Sequence, residues 1–200
     1  MELKKSRYPI LLILAVALFT VSVSADVTEA RRQKMSLNDI LSTVKPGQWV
    51  KLEGIIQRDR SVICGQIKFL TGNFLDDDWA IDGIVERIDK ANQEITLMGV
   101  PVKFHKDTQF EPNPTETFKG FNDLKTGMLV ELEGTYQKDG KFLTKSIEDE
   151  SAKLSQKPNL KHEIQVQGRV DSVDQVKARV TLMGIQFKLT DATKGKSAMR

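Results

Sequence analysis

The chain of 200 residues is 40% hydrophobic and 28% charged, a balance that is typical of a folded globular protein and argues against disorder. Its formal net charge is +3, and without residues 1–25 it carries 27 basic and 26 acidic residues, a charge of +1. This near-neutral balance argues against nucleic acid and anionic membranes as partners, since both attract strongly basic surfaces.

Residues 1–25 have the pattern of a cleaved signal peptide. Lys4, Lys5 and Arg7 precede an apolar run, and small residues follow at 23–25, where a signal peptidase reads. A membrane anchor is the alternative, but an apolar run of about ten residues is shorter than the roughly 20 that cross a bilayer. We therefore expect a periplasmic or secreted protein with no membrane span after cleavage.

Region 26–75 predicts a helix followed by a β-hairpin. Ser36 and Asp39 have the spacing of a capping box at a helix N-terminus. Polar and apolar residues then partly alternate over 48–54 and 62–70, the period of a strand with one buried face. The one cysteine of the chain, Cys64, lies in the second of these strands, where a buried, unreactive thiol is expected.

Region 76–150 predicts three strands, a connection and a second hairpin. The connection contains Pro112, Pro114, Gly120 and Gly127, so at most a short helical turn is expected there. The sequence Asp139-Gly140 suits a type I′ turn in the hairpin. The predicted strands lie at 79–89, 94–99, 100–105, 128–137 and 141–147.

The remaining part of the chain repeats half of this pattern. Residues 151–162 are predicted to be a polar linker, and three further strands are expected over 163–193. Residues 194–200 are polar and are predicted to fray as a tail.

An internal repeat connects these regions. Residues 48–54 match 128–134 at a shift of 80, and residues 95–99 match 180–184 at a shift of 85. The matches include glycines and strand residues in register, which indicates a repeated structural unit.

The phase of the repeat predicts the architecture. From residue 81 the order of three strands, a connection and two strands is that of an OB-fold. We therefore expect an all-β protein of two small OB-like five-stranded barrels, the central one at 76–150 inserted into a circularly permuted one. In the permuted barrel 26–75 would pair with 163–193, because either part alone exposes unpaired strand edges.

Two other arrangements remain open. The chain could form a plain tandem of units at 48–105 and 128–190, or the two ends could pair between different chains. We expect a monomer, or an end-swapped oligomer if the two ends pair between chains.

The central region resembles a known family. The segments Gly83-x-Val85-x-x-Ile88-Asp89, Ile95-Thr-Leu-Met-Gly99 and Val130-Glu-Leu-Glu-Gly134 are similar to the exported bacterial domain of unknown function 5666, an OB-like β-barrel module. The full pattern covers 83–148. The resemblance implies fold and export, and it brings no catalytic residues with it.

The flanking regions resemble the two halves of that module. Residues 37–70 are similar to its second half and 165–193 to its first half, with two departures. Arg60 stands in the place of a turn glycine, and Gln186 replaces the equivalent of Pro101. The N-terminal part is also somewhat similar to the bacterial periplasmic OB-fold family, in which a helix precedes such a strand pair.

Six residues are candidates for contact with a ligand or partner: Trp49, Trp79, Asp76, Asp77, Asp78 and His162. The tryptophans lie at strand starts, where they would either pack at the barrel junction or contact a peptide or oligosaccharide. The three aspartates lack the spaced loop and distal glutamate of a calcium site, so a solvated turn is the alternative. His162 has no second histidine or cysteine at ligand spacing, which favours a surface position.

The sequence predicts a binding function without catalysis. It has no nucleophile motif, no glycine-rich phosphate loop and no recognisable pair of catalytic carboxylates. We expect a non-catalytic binding or structural module of the bacterial envelope, without a cofactor, that contacts an envelope protein, a peptide or a saccharide. The alternatives are a small-ligand or cation-binding envelope stress protein and, third, an unrecognised hydrolase.

Overall fold

A computed structural model describes residues 35–111 and 117–197 of the protein. These residues belong to one compact unit, 32–200. The predicted signal peptide at 1–25 lies outside the described residues. Within them, the helices are all too short or too polar to cross a bilayer.

Most of the regular structure is β-strand. The strands are β1 (Trp49–Ile56), β2 (Val62–Phe69), β3 (Trp79–Ile84), β4 (Arg87–Asp89), β5 (Glu94–Leu97), β6 (Val100–Lys103), β7 (Gln109–Glu111), β8 (Leu129–Tyr136), β9 (Phe142–Asp149), β10 (Glu163–Arg169), β11 (Ser172–Asp174), β12 (Arg179–Leu182), β13 (Ile185–Lys188) and β14 (Lys194–Ser197). Two short α-helices, α1 (Leu37–Thr43) and α2 (Ala152–Gln156), and two 3-10 turns, Phe121–Asp123 and Pro158–His162, connect them.

All 14 described strands belong to one sheet. Its order is β11-β12-β13-β2-β1-β10-β3-β8-β9-β6-β5-β4, while β14 pairs with β2 and β7 pairs with β9. The predicted all-β class is therefore confirmed. The closure of the strands into two OB-like barrels stays a prediction.

The N-terminal hairpin and the C-terminal strands pair within the one chain. β1 runs antiparallel to β10, with Leu52 opposite Val166, and β2 runs parallel to β13, with Ile63 opposite Lys188. Each end thereby covers an edge that the other would leave unpaired. The insertion hypothesis requires this pairing, and the domain boundaries that it assigns stay a prediction.

The internal repeat is visible in the hydrogen bonds. The hydroxyl of Thr108 donates to the carbonyl oxygen of Thr144 at 3.0 Å, and the hydroxyl of Thr193 donates to that of Cys64 at 2.8 Å. The donors are 85 residues apart and the acceptors 80 residues apart, which are the two shifts of the sequence repeat. In each repeat a threonine hydroxyl is therefore hydrogen-bonded to the second strand of the hairpin in the same way.

The two repeats meet at the centre of the sheet through β3 and β10. Ile81 lies opposite Val166, Asp82 opposite Gln165 and Ala80 opposite Gln167. Because a shift of 85 carries 80–82 onto 165–167, this antiparallel pair is self-complementary, as in a local twofold interface.

Alternate burial gives the four central strands one core face and one outer face. The core face carries buried aliphatic side chains, namely Val50, Leu52, Ile81, Val130, Leu132, Ile164 and Val166. The residues between them point away from the core because successive side chains of a strand alternate. The outer face of β1, β10, β3 and β8 carries mainly polar residues.

The predicted capping box of α1 is confirmed. The backbone N–H of Asp39 donates to the Ser36 hydroxyl at 3.2 Å, and the Asp39 carboxylate accepts the N–H of Ser36 at 3.1 Å. Two backbone donors at the helix start are thereby satisfied, and Ile40 is fully buried.

The turn at Asp139-Gly140 is not of type I′, so that prediction is wrong. Type I′ needs positive φ at both central residues, whereas Gly140 has a φ of 83° and Asp139 is not among the described residues with positive φ. The N–H of Gln137 donates to the carbonyl of Lys141 at 2.8 Å, and the N–H of Gly140 donates to that of Gln137 at 3.0 Å. This is a longer hairpin loop that ends in a left-handed glycine.

The predicted linker at 151–162 contains two short helical elements. α2 begins with the N–H of Lys153 bonded to the carbonyl of Glu150 at 2.9 Å, and a 3-10 turn follows with Pro158 in its first turn. Ala152, Leu154 and Gln156 are good helix formers, a signal that the polar composition obscured. This segment forms one wall of the groove described below.

The tail predicted at 194–200 is ordered in its first part. Residues 194–197 form β14, which runs parallel to β2 with Gly195 opposite Ile67. A Cβ at Gly195 would lie 2.8 Å from Cβ of Met35 and 2.9 Å from Cγ1 of Ile40, so the glycine permits this close approach. Residues 198–200 lie outside the described residues.

Candidate functional site

A groove with a volume of about 470 Å³ lies on the outer face of the central strands. Its floor is made by outward side chains of β1, β10, β3 and β8, and its wall by the segment after β9. The polar side chains in its lining are Lys51, Glu53, Asp82, Glu131, Glu150, Lys153, Glu163 and Gln165. We call this feature the acidic groove.

Strand pairing explains why these side chains meet. Asp82 lies directly opposite Gln165 on β10 and directly opposite Glu131 on β8. Cβ atoms of directly paired residues lie about 5 Å apart. Three residues that are distant in sequence thereby share the floor at the junction of the two repeats.

Among the titratable groups that line the groove, Asp82 has the most strongly shifted pKa. Burial raises the pKa of its carboxyl to about 7, and the negative charge of Glu131 adds to this effect, while Lys51 opposes it. The side-chain amide of Gln165 donates a hydrogen bond to the same carboxyl. Asp82 can therefore exchange a proton near neutral pH.

Acidic groups outnumber basic groups in the groove. The lining contains five carboxylates and two lysines. One lysine, Lys153, is already in contact with the carboxylate of Glu150, and the Glu53 carboxylate accepts a hydrogen bond from the Gln66 amide at 2.9 Å. The remaining negative charge favours a positively charged group.

Two carboxylates of the groove, Glu131 and Glu150, form a cluster with Glu148, which is not one of the lining residues. Oxygens of Glu131, Glu148 and Glu150 all lie within 4.8 Å of one another. Hard divalent cations take such oxygen ligands, and so does an ammonium or guanidinium group. The cluster therefore attracts positive charge. Its oxygens can bind either a divalent cation or an ammonium or guanidinium group.

The two predicted tryptophans belong to one aromatic row, which is not part of the lining of the acidic groove. Trp49 stacks on Phe74 with ring centroids 4.8 Å apart, and its centroid lies 5.4 Å from that of Trp79. Tyr136 continues the row at 5.6 Å from Trp79. The guanidinium of Arg169 lies 5.5 Å from the Trp49 ring centroid.

Trp79 packs at the junction of the repeats, and Trp49 is the more accessible of the two. Trp79 is only 8% exposed, and its ring occupies the space beside Gly168 where a side chain would stand. Its indole therefore contributes to packing between β3 and β10. Contact of Trp49 with a saccharide or peptide stays a prediction.

The three predicted aspartates have different neighbours. Asp76 pairs with Arg169 at 3.2 Å, Asp77 pairs with Lys145 at 2.6 Å, and the Asp78 carboxylate accepts the backbone N–H of Leu75 at 2.7 Å. The hydrogen bond and charge of Lys145 lower the pKa of Asp77. These contacts make the segment a charged turn that attaches to β9 and β10.

His162 lies on the surface at the end of the second 3-10 turn, next to Glu163 of the acidic groove. A shift of 85 places residues 76–78 and 161–163 at equivalent positions of the two repeats. Asp76 and Asp77 form ion pairs with Arg169 and Lys145.

Sequence reasoning missed the acidic groove itself. Its carboxylates are scattered over four strands and the connection after β9, so no local motif contains them. Asp82 occupies an outward position of the alternating strand Trp79–Ile84, where a polar residue is expected, so it gave no signal of the groove.

Comparison with known proteins gives one family match. Residues 82–148 match the family model described as a domain of unknown function (DUF5666), which confirms the resemblance found in the central region. No curated protein and no solved structure matches the chain.

Proposed function

We propose that this protein is a non-catalytic, exported binding module of the bacterial envelope, whose acidic groove holds a basic segment of a peptide or protein. The observation that carries the proposal is the excess of carboxylates, five against two lysines, in a groove at the centre of the sheet. Export rests on the signal-peptide pattern of residues 1–25.

The groove offers a cation both charge and partial shelter from water. Asp82 and Glu131 are partly buried and lie opposite each other on neighbouring strands. Two like charges in this position repel each other, and a cation between them removes that repulsion. A lysine or arginine side chain that enters the groove would therefore be bound more tightly than at an open surface.

The size of the groove agrees with this class of ligand. Its volume of about 470 Å³ lies within the range of roughly 300–1,000 Å³ that is usual for ligand sites. Apolar parts of Ile55, Leu129 and Leu160 also line it, which suits the aliphatic stem of a lysine or arginine.

Fluorescence anisotropy with labelled peptides tests the proposal. A lysine- and arginine-rich peptide, an acidic peptide of the same length and a neutral oligosaccharide are titrated with the mature protein. We expect binding of the basic peptide alone, weakened about tenfold by Glu131→Gln, because a charged hydrogen bond contributes roughly 1.5–3 kcal/mol. Glu133→Gln removes an exposed carboxylate of the same strand and serves as the matched control.

Two results would contradict the proposal. One is equal affinity for the basic and acidic peptides, and the other is an affinity that Glu131→Gln leaves unchanged. Binding of the oligosaccharide that is lost in Trp49→Ala would favour the aromatic row as the contact surface.

The cation-binding and hydrolase alternatives have their own tests. Calorimetric titration with Ca²⁺, Mg²⁺ and Zn²⁺ would support a cation-binding protein if stoichiometric binding disappears on substitution of Glu150 or of residues 76–78. An activity that one polar substitution abolishes would support a hydrolase.

A further inference from the structure

A second cavity of about 490 Å³ has the opposite charge. It lies between the β1–β2 turn, the β12–β13 hairpin and Met98 of the central region. Its charged lining residues are Asp59, Arg60, Arg179 and Lys188, three cations and one anion. We call it the basic cleft.

Two of the cations lie directly opposite each other. Arg179 on β12 is the register partner of Lys188 on β13. Like charges in this position of an antiparallel pair repel each other and destabilise the pair. Among the residues that the structure describes, neither side chain has an ion-pair partner, and the Arg179 guanidinium only donates to the Gln186 amide oxygen at 3.3 Å.

The other repeat provides an internal comparison. The equivalents of Arg179 and Lys188 are Glu94 and Lys103, which are register partners of opposite charge. Glu94 also pairs with Lys141 at 3.6 Å. The same hairpin therefore forms with complementary charges, so its backbone does not require two cations.

The third cation occupies a strained position. Arg60 has a φ of 66°, in the left-handed region that favours glycine, and its repeat equivalent is Gly140 with a φ of 83°. Its guanidinium is bonded to the two carboxylate oxygens of Glu86 at 2.9 and 3.1 Å. An exposed ion pair of this kind contributes little to stability, so it does not explain the arginine by itself.

The differences in residue type between the two repeats change the net charge of this site. The equivalent site in the central repeat carries Asp139, Lys141, Glu94 and Lys103, whose formal charges sum to zero. The basic cleft carries a net charge of +2, counted over its four charged lining residues, and Glu86 beside it compensates only Arg60. Asp59 is already engaged with the backbone and hydroxyl of Ser61.

We propose that the basic cleft binds a phosphate group, carried by a small phosphate ester or by a phospholipid headgroup. A phosphate between Arg179 and Lys188 removes their mutual repulsion, and guanidinium groups bind phosphate oxygens with two parallel hydrogen bonds. Arg60 adds a third cation when it turns from Glu86 to the ligand. The proposal uses other residues than the acidic groove does, so either can fail alone.

Calorimetry and vesicle sedimentation at low ionic strength test the proposal and separate the two sources. The probes are inorganic phosphate, glucose 6-phosphate, and vesicles of phosphatidylglycerol or of phosphatidylcholine. Arg179→Glu introduces the acidic residue type that the central repeat has at this position. Lys106→Glu is the control, because it makes the same charge change on an exposed turn that does not line the basic cleft. We expect at least tenfold weaker binding in Arg179→Glu and no change in Lys106→Glu.

The pattern across probes identifies the source. Binding of the soluble phosphates supports a phosphate ester, and binding of the phosphatidylglycerol vesicles alone supports a headgroup, provided that Arg179→Glu weakens it selectively. The proposal is overturned if no probe binds the wild-type protein, or if both variants weaken binding equally. Arg60→Gly, which introduces the glycine of the other repeat, gives a second variant in case Arg179→Glu does not fold, and it should weaken binding in the same direction.

Discussion

Replacing Asp82 with asparagine should stabilise the protein at neutral and alkaline pH. The carboxyl of Asp82 is partly buried between Gln165 and Glu131, and burial raises its pKa to about 7. The folded protein therefore holds this proton more tightly than the unfolded chain does. Wild-type stability from this group is fully present below about pH 4 and is lost as the pH rises through about 7.

The size of the effect follows from the two pKa values. A difference of one pKa unit corresponds to about 1.4 kcal/mol, and the pKa moves from its ordinary value of 3.8 to about 7. The ionised carboxyl thus lowers the free energy of unfolding by up to about 4 kcal/mol at pH 8. Asparagine keeps the acceptor for Gln165 and carries no charge, so the variant should recover about 2–4 kcal/mol there and little near pH 4.

Urea unfolding, followed by the fluorescence of Trp49 and Trp79, measures this difference at a series of pH values. The gap between Asp82→Asn and the wild type should open as the pH rises from about 4 to about 8. Glu133→Gln controls for the loss of one negative charge, because it removes an exposed carboxylate from a neighbouring strand. Parallel stability curves for Asp82→Asn and wild type over this range would refute the reasoning.

Three further predictions concern the packing of the sheet. Gly168→Ala should lower the free energy of unfolding by about 1–3 kcal/mol, because its Cβ would overlap the ring of Trp79. In the same urea titration, Gly65→Ala should lower the free energy of unfolding clearly less, because its Cβ would make only an ordinary contact at 3.7 Å. Thr144→Val should raise the midpoint of thermal unfolding, because the fully buried Thr144 hydroxyl has no hydrogen-bond partner among the described residues. Burying an unsatisfied hydroxyl costs about 1–3 kcal/mol. An unchanged or lower midpoint would contradict this prediction. Cys64, whose pKa burial raises to about 12, should react with a thiol reagent only at the rate of unfolding, and rapid labelling of the native protein would show that β2 opens locally.

Local chemistry determined much of the secondary structure. The Ser36–Asp39 capping box, the alternation in the two hairpins and the repeated Thr-Leu-Met-Gly turns act over a few residues, so the sequence contains them in full. The same locality explains why the strand at 194–197 was missed. This strand depends on its pairing with β2, which lies far away in the chain.

The internal repeat predicted more of the fold than the alternation of polar and apolar residues did alone. It indicated that 26–75 and 163–193 each lack the strands that the other supplies, because unpaired strand edges and an exposed apolar face are unfavourable. The register could not be read in this way. Only the folded chain places Leu52 opposite Val166 and brings β3 beside β10 at the centre of the sheet.

The sequence by itself determined the all-β class, the repeated unit and the burial of Cys64, because period-two patterning and turn chemistry are local properties of the chain. The tertiary structure alone decided where charge accumulates. Asp82, Glu131 and Glu150 converge on one face, and Arg60, Arg179 and Lys188 on another. Each of these side chains is an ordinary surface charge in the sequence, and its chemistry depends on which strands the fold makes neighbours.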